Sequence, residues 1–176
     1  NEEIIIATAH KSLKKKFKNL VTIIIPRHIN RADKIIEEIA NLSLITHLHS
    51  SKNKIKKNTE IYIVDTYGET EKFFNICKTV FLGGSLIKHG GQNPLEPARL
   101  GCKIIHGPNV NNFNEIYSLL DKNKISIKVT NLNQLISKLR IILKKNVSSE
   151  KLIYNLKKLG NVILYSTLLE IKKFIN

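Results

Sequence analysis

The residues whose types and spacing suit chemistry lie in three short stretches: Pro26-Arg27-His28, Asp65-Thr66-Tyr67-Gly68-Glu69, and the run 83–97. Arg27 follows an apolar run, and a guanidinium placed there can pair bidentately with a phosphate. The third stretch carries two glycine pairs, Gly83-Gly84 before Ser85 and Gly90-Gly91, then Asn93-Pro94-Leu95-Glu96-Pro97. Glycines let a backbone approach a ligand closely and adopt positive φ. Asn93 is a good N-cap and Pro94 fits a first helical position, so a helix is predicted over 94–100. A helix opening on a glycine loop offers free N–H groups and a positive dipole end to a phosphate. Glu96 faces the same space, where a carboxylate can accept two hydrogen bonds from a ribose diol. A second turn, Gly107-Pro108, follows the next apolar run. Together these groups describe recognition of a nucleotide.

The elements that position them alternate between strand and helix. Residues 2–17 place Ile5, Ala9, Leu13 and Phe17 on one helical face with lysines opposite. His10 beside that stripe reads as a surface or packing residue of the helix. Residues 21–25 are a β-branched run typical of a parallel strand buried on both faces. A helix over 31–42 follows, then strands over 43–48 and 60–64, separated by an exposed Lys- and Asn-rich loop over 51–59. Further helices are predicted over 70–77, 112–121 and 131–143, and strands over 79–82, 103–105 and 126–129. Residues 148–159 and 162–175 read as two closing helices. Such alternation predicts an α/β fold with a mostly parallel sheet flanked by helices. The three polar stretches then fall at the carboxyl edge of the sheet, where open α/β folds bind ligands.

A chain of 176 residues fits one domain, 1–176, with no linker or repeat visible. Cys77 and Cys102 lack metal-ligand spacing and read as small buried residues; no metal and no cofactor is expected. No apolar run is long enough to span a bilayer. There are 29 Lys and Arg against 14 Asp and Glu, a formal net charge of +15, which favours anionic partners. Nucleic acid is a poor candidate, because aromatic content is 6% with no Trp and no binding motif is present.

Pro-Arg-His at 26–28, Asp-Thr-Tyr-Gly-Glu at 65–69, the run Gly-Gly-Gln-Asn-Pro-Leu-Glu-Pro at 90–97 and Gly-Pro-Asn-Val-Asn-Asn-Phe at 107–113 resemble the 3-deoxy-D-manno-octulosonic acid (Kdo) transferases. The resemblance is to the carboxyl-terminal half of that family and covers nearly the whole chain. It implies a Rossmann-like domain, the C-terminal domain of a GT-B glycosyltransferase, that binds the donor CMP-Kdo without a metal. Carried over by residue, it implies CMP contacts from Pro26, Arg27, Tyr67, Gly68, Glu69, Asn93, Pro94, Leu95 and Glu96, with Gly84 and Ser85 in the donor loop. The family usually has His at the position of Gln92 and Met at that of Tyr67. Asn1-Glu2-Glu3 resembles the end of the family's Thr-His-x-Gly-Glu-Glu segment. That implies a preceding strand and an amino-terminal acceptor domain, and the resemblance assigns the catalytic base to that domain and none to this chain. The implied acceptor is lipid A precursor, at the cytoplasmic face of the bacterial inner membrane. The alternatives are a non-catalytic nucleotide-binding module from a split or degenerate gene and, lower, a basic nucleic-acid-binding protein.

Overall fold

The computed structural model describes residues 2–145 and 148–175; Asn1 of the Asn-Glu-Glu segment lies outside them. Among the described residues six short strands are interleaved with helices, except that the second strand passes to the third through a loop. In chain order the elements are α1 (Glu2–Lys14), β1 (Thr22–Ile24), α2 (Ala32–Ala40), β2 (Thr46–Leu48), β3 (Ile61–Ile63), α3 (Thr70–Ile76) and β4 (Thr79–Leu82). After these come α4 (Leu95–Arg99), β5 (Lys103–His106), α5 (Asn114–Lys122), β6 (Ser126–Lys128), α6 (Leu132–Lys144) and α7 (Ser149–Ile175). Single 3-10 turns, Ile29–Arg31 and Asn111–Phe113, lead into α2 and α5.

All strand pairing is parallel, but the expected single sheet is two: β1-β3-β2 and β4-β5-β6. Strand alternation explains the layers, because successive side chains point to opposite faces. In β3, Ile61 and Ile63 face a core with Ile24, Ile35 and Ile39, while Tyr62 turns to His47, His49 and Phe73 of α3. In β5, Ile104 joins Leu82, Tyr117 and Leu120 on one face, and Ile105 joins Val129 and Leu135 on the other. Helix α1 bridges the halves: Ala7 and Ile4 pack on the first core, Ala9, Ile5 and Ile6 on the core around Ile105.

Two expectations are corrected by this arrangement. The run containing β1 is not buried on both faces; Thr22 and Ile23 are half-exposed because β1 is a sheet edge. β4, the matching edge of the other sheet, is likewise half-buried from Thr79 to Phe81. The two closing helices are one 27-residue helix, α7. A single interior glycine, Gly160, costs only about 1 kcal/mol relative to Ala and does not break a long helix. Leu152 and Leu156 seat α7 against the domain, and residues 161–173 are exposed all round, apolar Val162, Leu164, Tyr165 and Leu168 included. No helix among the described residues is long and apolar enough to cross a membrane.

Candidate functional site

The first turn of α1 joins the loop after β4 to the segment after β1. Glu2, 7% exposed, accepts backbone N–H bonds from Gly84, from Ser85 at 3.1 Å, from Leu86 at 2.5 Å and from Ile87 at 3.2 Å. Successive N–H groups converging in this way form an anion-binding concavity, here filled by the protein's own carboxylate. Next to it, Glu3 pairs with Arg31 Nη1 at 2.9 Å, just beyond the Pro26-Arg27 turn. Since β1 and β3 are parallel neighbours, the loop carrying Tyr67, Gly68 and Glu69 shares the edge of Pro26 and Arg27. Strand direction thus places two of the three loops on one edge, and Glu2 and Glu3 link the third, the glycine loop, to the turn after Arg27 through α1.

The glycine loop is shaped from within. Ser85 is fully buried; its Oγ donates to Leu82 O at 2.5 Å and accepts from Gly107 N at 2.8 Å. Its carbonyl accepts from Asn109 N at 2.8 Å. Gly91 N donates to Gly84 O at 2.9 Å, closing the loop on itself. Gly84 and Ser85 thus spend these groups on holding the loop, and Ser85 presents no surface to solvent. Tyr117 OH donates to Gln92 O at 2.8 Å, and the Tyr117 ring lies 4.3 Å from that of buried His106. His106 in turn contacts Asp121, which also accepts from Ser126 Oγ. Burial pushes the Tyr117 phenol well above its ordinary range, with Asp121 adding to the shift, so it stays a donor.

Of the residues singled out in sequence, Arg27, Tyr67, Gly68, Asn93 and Glu96 are exposed at this edge. Pro26 and Pro94 are buried and shape their turns; Leu95 and Glu69 are half-buried. Glu69 pairs with Lys72 at 2.9 Å, and its carboxyl is held below the ordinary range chiefly by that hydrogen bond. Beside it, Asp65 accepts from Ser50 N at 2.9 Å and from Ser50 Oγ. Burial pushes the Asp65 carboxyl up, but the Ser50 and backbone bonds outweigh it and the net shift is downward.

The helix-terminus expectation needs a correction. Helix α4 has five residues, and Pro94 and Pro97 have no N–H to give. Asn93 Oδ1 takes the Leu95 N–H at 3.0 Å, so of positions 94–97 only Glu96 retains an N–H that these contacts do not use. A short helix also has a weak dipole. Arg27, exposed after β1, is a positive charge near this edge that does not depend on the helix start. Among the described residues no group of three His, Cys, Asp or Glu is placed to hold a metal ion.

Sequence reasoning missed that Glu2 and Glu3 tie α1 to the glycine loop and to Arg31. Acidic residues in a first helical turn ordinarily read as dipole partners, and nothing local signals a carboxylate aimed at a loop more than eighty residues away.

Parallel strands, helices packed on their faces and polar loops gathered at the carboxyl edge define a Rossmann-like domain, the architecture of one half of a GT-B glycosyltransferase. No family model matches the chain. It is 35% identical over 150 residues to a 3-deoxy-D-manno-octulosonic acid transferase of Rickettsia felis, covering 85% of this chain and 32% of the relative. For the transferase of Haemophilus influenzae the identity is 34% over 120 residues, 68% of this chain and 28% of the relative. The crystal structure of the C-terminal CMP-Kdo binding domain of WaaA from Acinetobacter baumannii superposes with a TM-score of 0.81 at 30% identity. That match covers 90% of this chain and 82% of the other. The chain belongs to the 3-deoxy-D-manno-octulosonic acid transferase family, and it spans about a third of the length of the curated relatives it matches.

Proposed function

We propose that this chain is the donor-binding domain of a Kdo transferase and holds CMP-Kdo at the carboxyl edge of its strands. The observation that carries the reading is the superposition of 90% of the chain on a CMP-Kdo binding domain. The exposure of Arg27, Tyr67, Gly68, Asn93 and Glu96 along one edge is consistent with it. In this reading Arg27 pairs with the phosphate and Glu96 accepts from the ribose diol. Gly68, at φ +80 with open space around it, lets the backbone meet the base or sugar. Pro26, Pro94 and Leu95 set the loops, and Glu69 and Asn93 complete the contacts.

In this reading the reaction of the whole enzyme needs no metal. A carboxylate outside this chain deprotonates a hydroxyl of lipid A precursor, that oxygen attacks the anomeric carbon of Kdo, and CMP departs. Arg27 stabilises the charge developing on the phosphate. The surplus of basic residues suits work beside anionic lipid on the cytoplasmic face of the inner membrane.

Calorimetric titration of the chain with CMP tests the reading. Arg27→Ala and Glu96→Ala each remove hydrogen bonds to or from a charged group, so each should weaken CMP by roughly 10- to 100-fold. Parent-like binding by both folded variants would refute the assignment of the site.

A further inference from the structure

We propose that Glu2 and Glu3 are positioning residues of the donor site, holding its two sides in register; the inference rests on the donor-site reading above. A glutamate that only complements a helix dipole lies at the surface and needs no particular partner. Glu2 does the opposite. It is buried, and its two carboxylate oxygens collect the N–H groups of Gly84, Ser85, Leu86 and Ile87. Its Oε2 lies 3.1 Å from where a Cβ on Gly83 would stand, so a side chain there would crowd the carboxylate. The loop it grips leads, through the Gly91 N to Gly84 O bond, into the segment that carries Asn93 and Glu96.

Glu3 acts on the other side. Its bond to Arg31 ties down the 3-10 turn that follows Arg27, where Arg31 N also donates to His28 O at 3.1 Å. Both glutamates sit on consecutive residues of one helix, and that helix packs on the cores of both sheets. One rigid element therefore sets the separation between the phosphate-pairing side, at Arg27, and the ribose side, at Glu96. No backbone hydrogen bond joins β1 to β4 among the described residues, so this acidic pair substitutes for a direct ladder between the halves.

The chemistry predicts an asymmetry between substitutions. A carboxylate can accept four N–H bonds, whereas Glu2→Gln turns an NH2 against at least one of those donors. The test is calorimetric titration with CMP of the parent, Glu2→Gln, Glu3→Gln, and each in combination with Glu96→Ala or Arg27→Ala. Thermal melts check folding, and Ile35→Val, a core change away from the edge, controls for stability alone.

Glu2→Gln and Glu3→Gln should each weaken CMP by about tenfold, the loss expected for one misplaced charge-assisted contact. Ile35→Val should bind as the parent does. A positioning residue acts through the group it positions. Glu2→Gln should therefore add little in the Glu96→Ala background, and Glu3→Gln little in the Arg27→Ala background. Folded variants binding within about twofold of the parent, or losses that simply multiply in the combined variants, would overturn the proposal while leaving the donor site in place. Failure of the parent to bind CMP would instead remove the donor-site reading, and this inference with it. Should Glu2→Gln not fold, Glu3→Gln decides the matter, because its partly exposed ion pair can be lost without unfolding the domain.

Discussion

Gly107→Ala is the most severe single-atom perturbation the fold offers near the site. A Cβ at Gly107 would stand 2.1 Å from Ser85 O, 2.2 Å from Ser85 C and 2.4 Å from Leu86 N. All three are backbone atoms of the loop that Glu2 holds, so no side-chain rotation can relieve the contact. To accept the methyl group, the 83–87 loop and the 107–109 turn must separate by more than 1 Å, roughly the shortfall from normal contact. Overpacking of this kind costs about 1–3 kcal/mol. The separation also strains the Gly107 N to Ser85 Oγ and Asn109 N to Ser85 O bonds, both 2.8 Å, each worth about 1 kcal/mol. The total, about 3–5 kcal/mol, is a large share of the 5–15 kcal/mol typical of a domain. Urea unfolding followed by circular dichroism should show a midpoint lower by 1.5 M or more, taking a slope of about 2 kcal/mol per M. Gly68→Ala is the matched control. Gly68 also has positive φ, at +80, but nothing lies within 4 Å of its added Cβ, so only about 1–2 kcal/mol of backbone strain is expected. A Gly107→Ala midpoint equal to that of the parent would refute the packing argument for this loop.

Two further outcomes follow from groups away from the site. His10 is buried, its Nδ1 is 2.8 Å from Thr22 Oγ1, and its pKa lies below the ordinary 6.5, first through burial and then through Lys14, with Glu60 opposing. The folded state thus binds this proton less tightly than the unfolded state. Its contribution to stability is complete above pH 6.5 and is lost as pH falls from there toward the folded value. Urea midpoints measured between pH 7.5 and 5.5 should decline toward acid, and His10→Asn should flatten that part of the slope. Gly160→Ala, at an open position in α7, should stabilise the chain by up to about 1 kcal/mol through helix propensity, read as a rise in the urea midpoint; a fall would mean the glycine is needed for close packing.

The placing of the polar loops at strand ends was legible because it rests on local chemistry. Proline and glycine punctuate strand ends, and the exposed positions of Arg27, Gly68, Asn93 and Glu96 follow from that punctuation. Both cysteines were expected to be small buried residues: Cys102 is buried, where burial, with a smaller contribution from Cys77, pushes its thiol up to about 11, whereas Cys77 is only half-buried because it ends α3 near the surface. Features set by distant partners were not legible. The Glu2 grip on the glycine loop spans more than eighty residues of sequence, and no periodicity encodes it. The half-exposure of β1 depends on which strand lies beside it, whereas its composition is that of an interior strand. Helix α7 was divided at Gly160 because glycine is a strong local punctuator, yet the apolar and lysine-rich sequence around it carries the helix through. The dipole of α4 was overestimated because two prolines that suit a helix start also remove the N–H groups a phosphate needs.

The most direct test of the donor-site account compares calorimetric titrations of the chain with CMP and with cytidine, each repeated on Arg27→Ala. The account predicts saturable CMP binding, much weaker cytidine binding, and loss of most of that difference when Arg27 is removed. Equal binding of CMP and cytidine, or a phosphate preference untouched by Arg27→Ala, would contradict it.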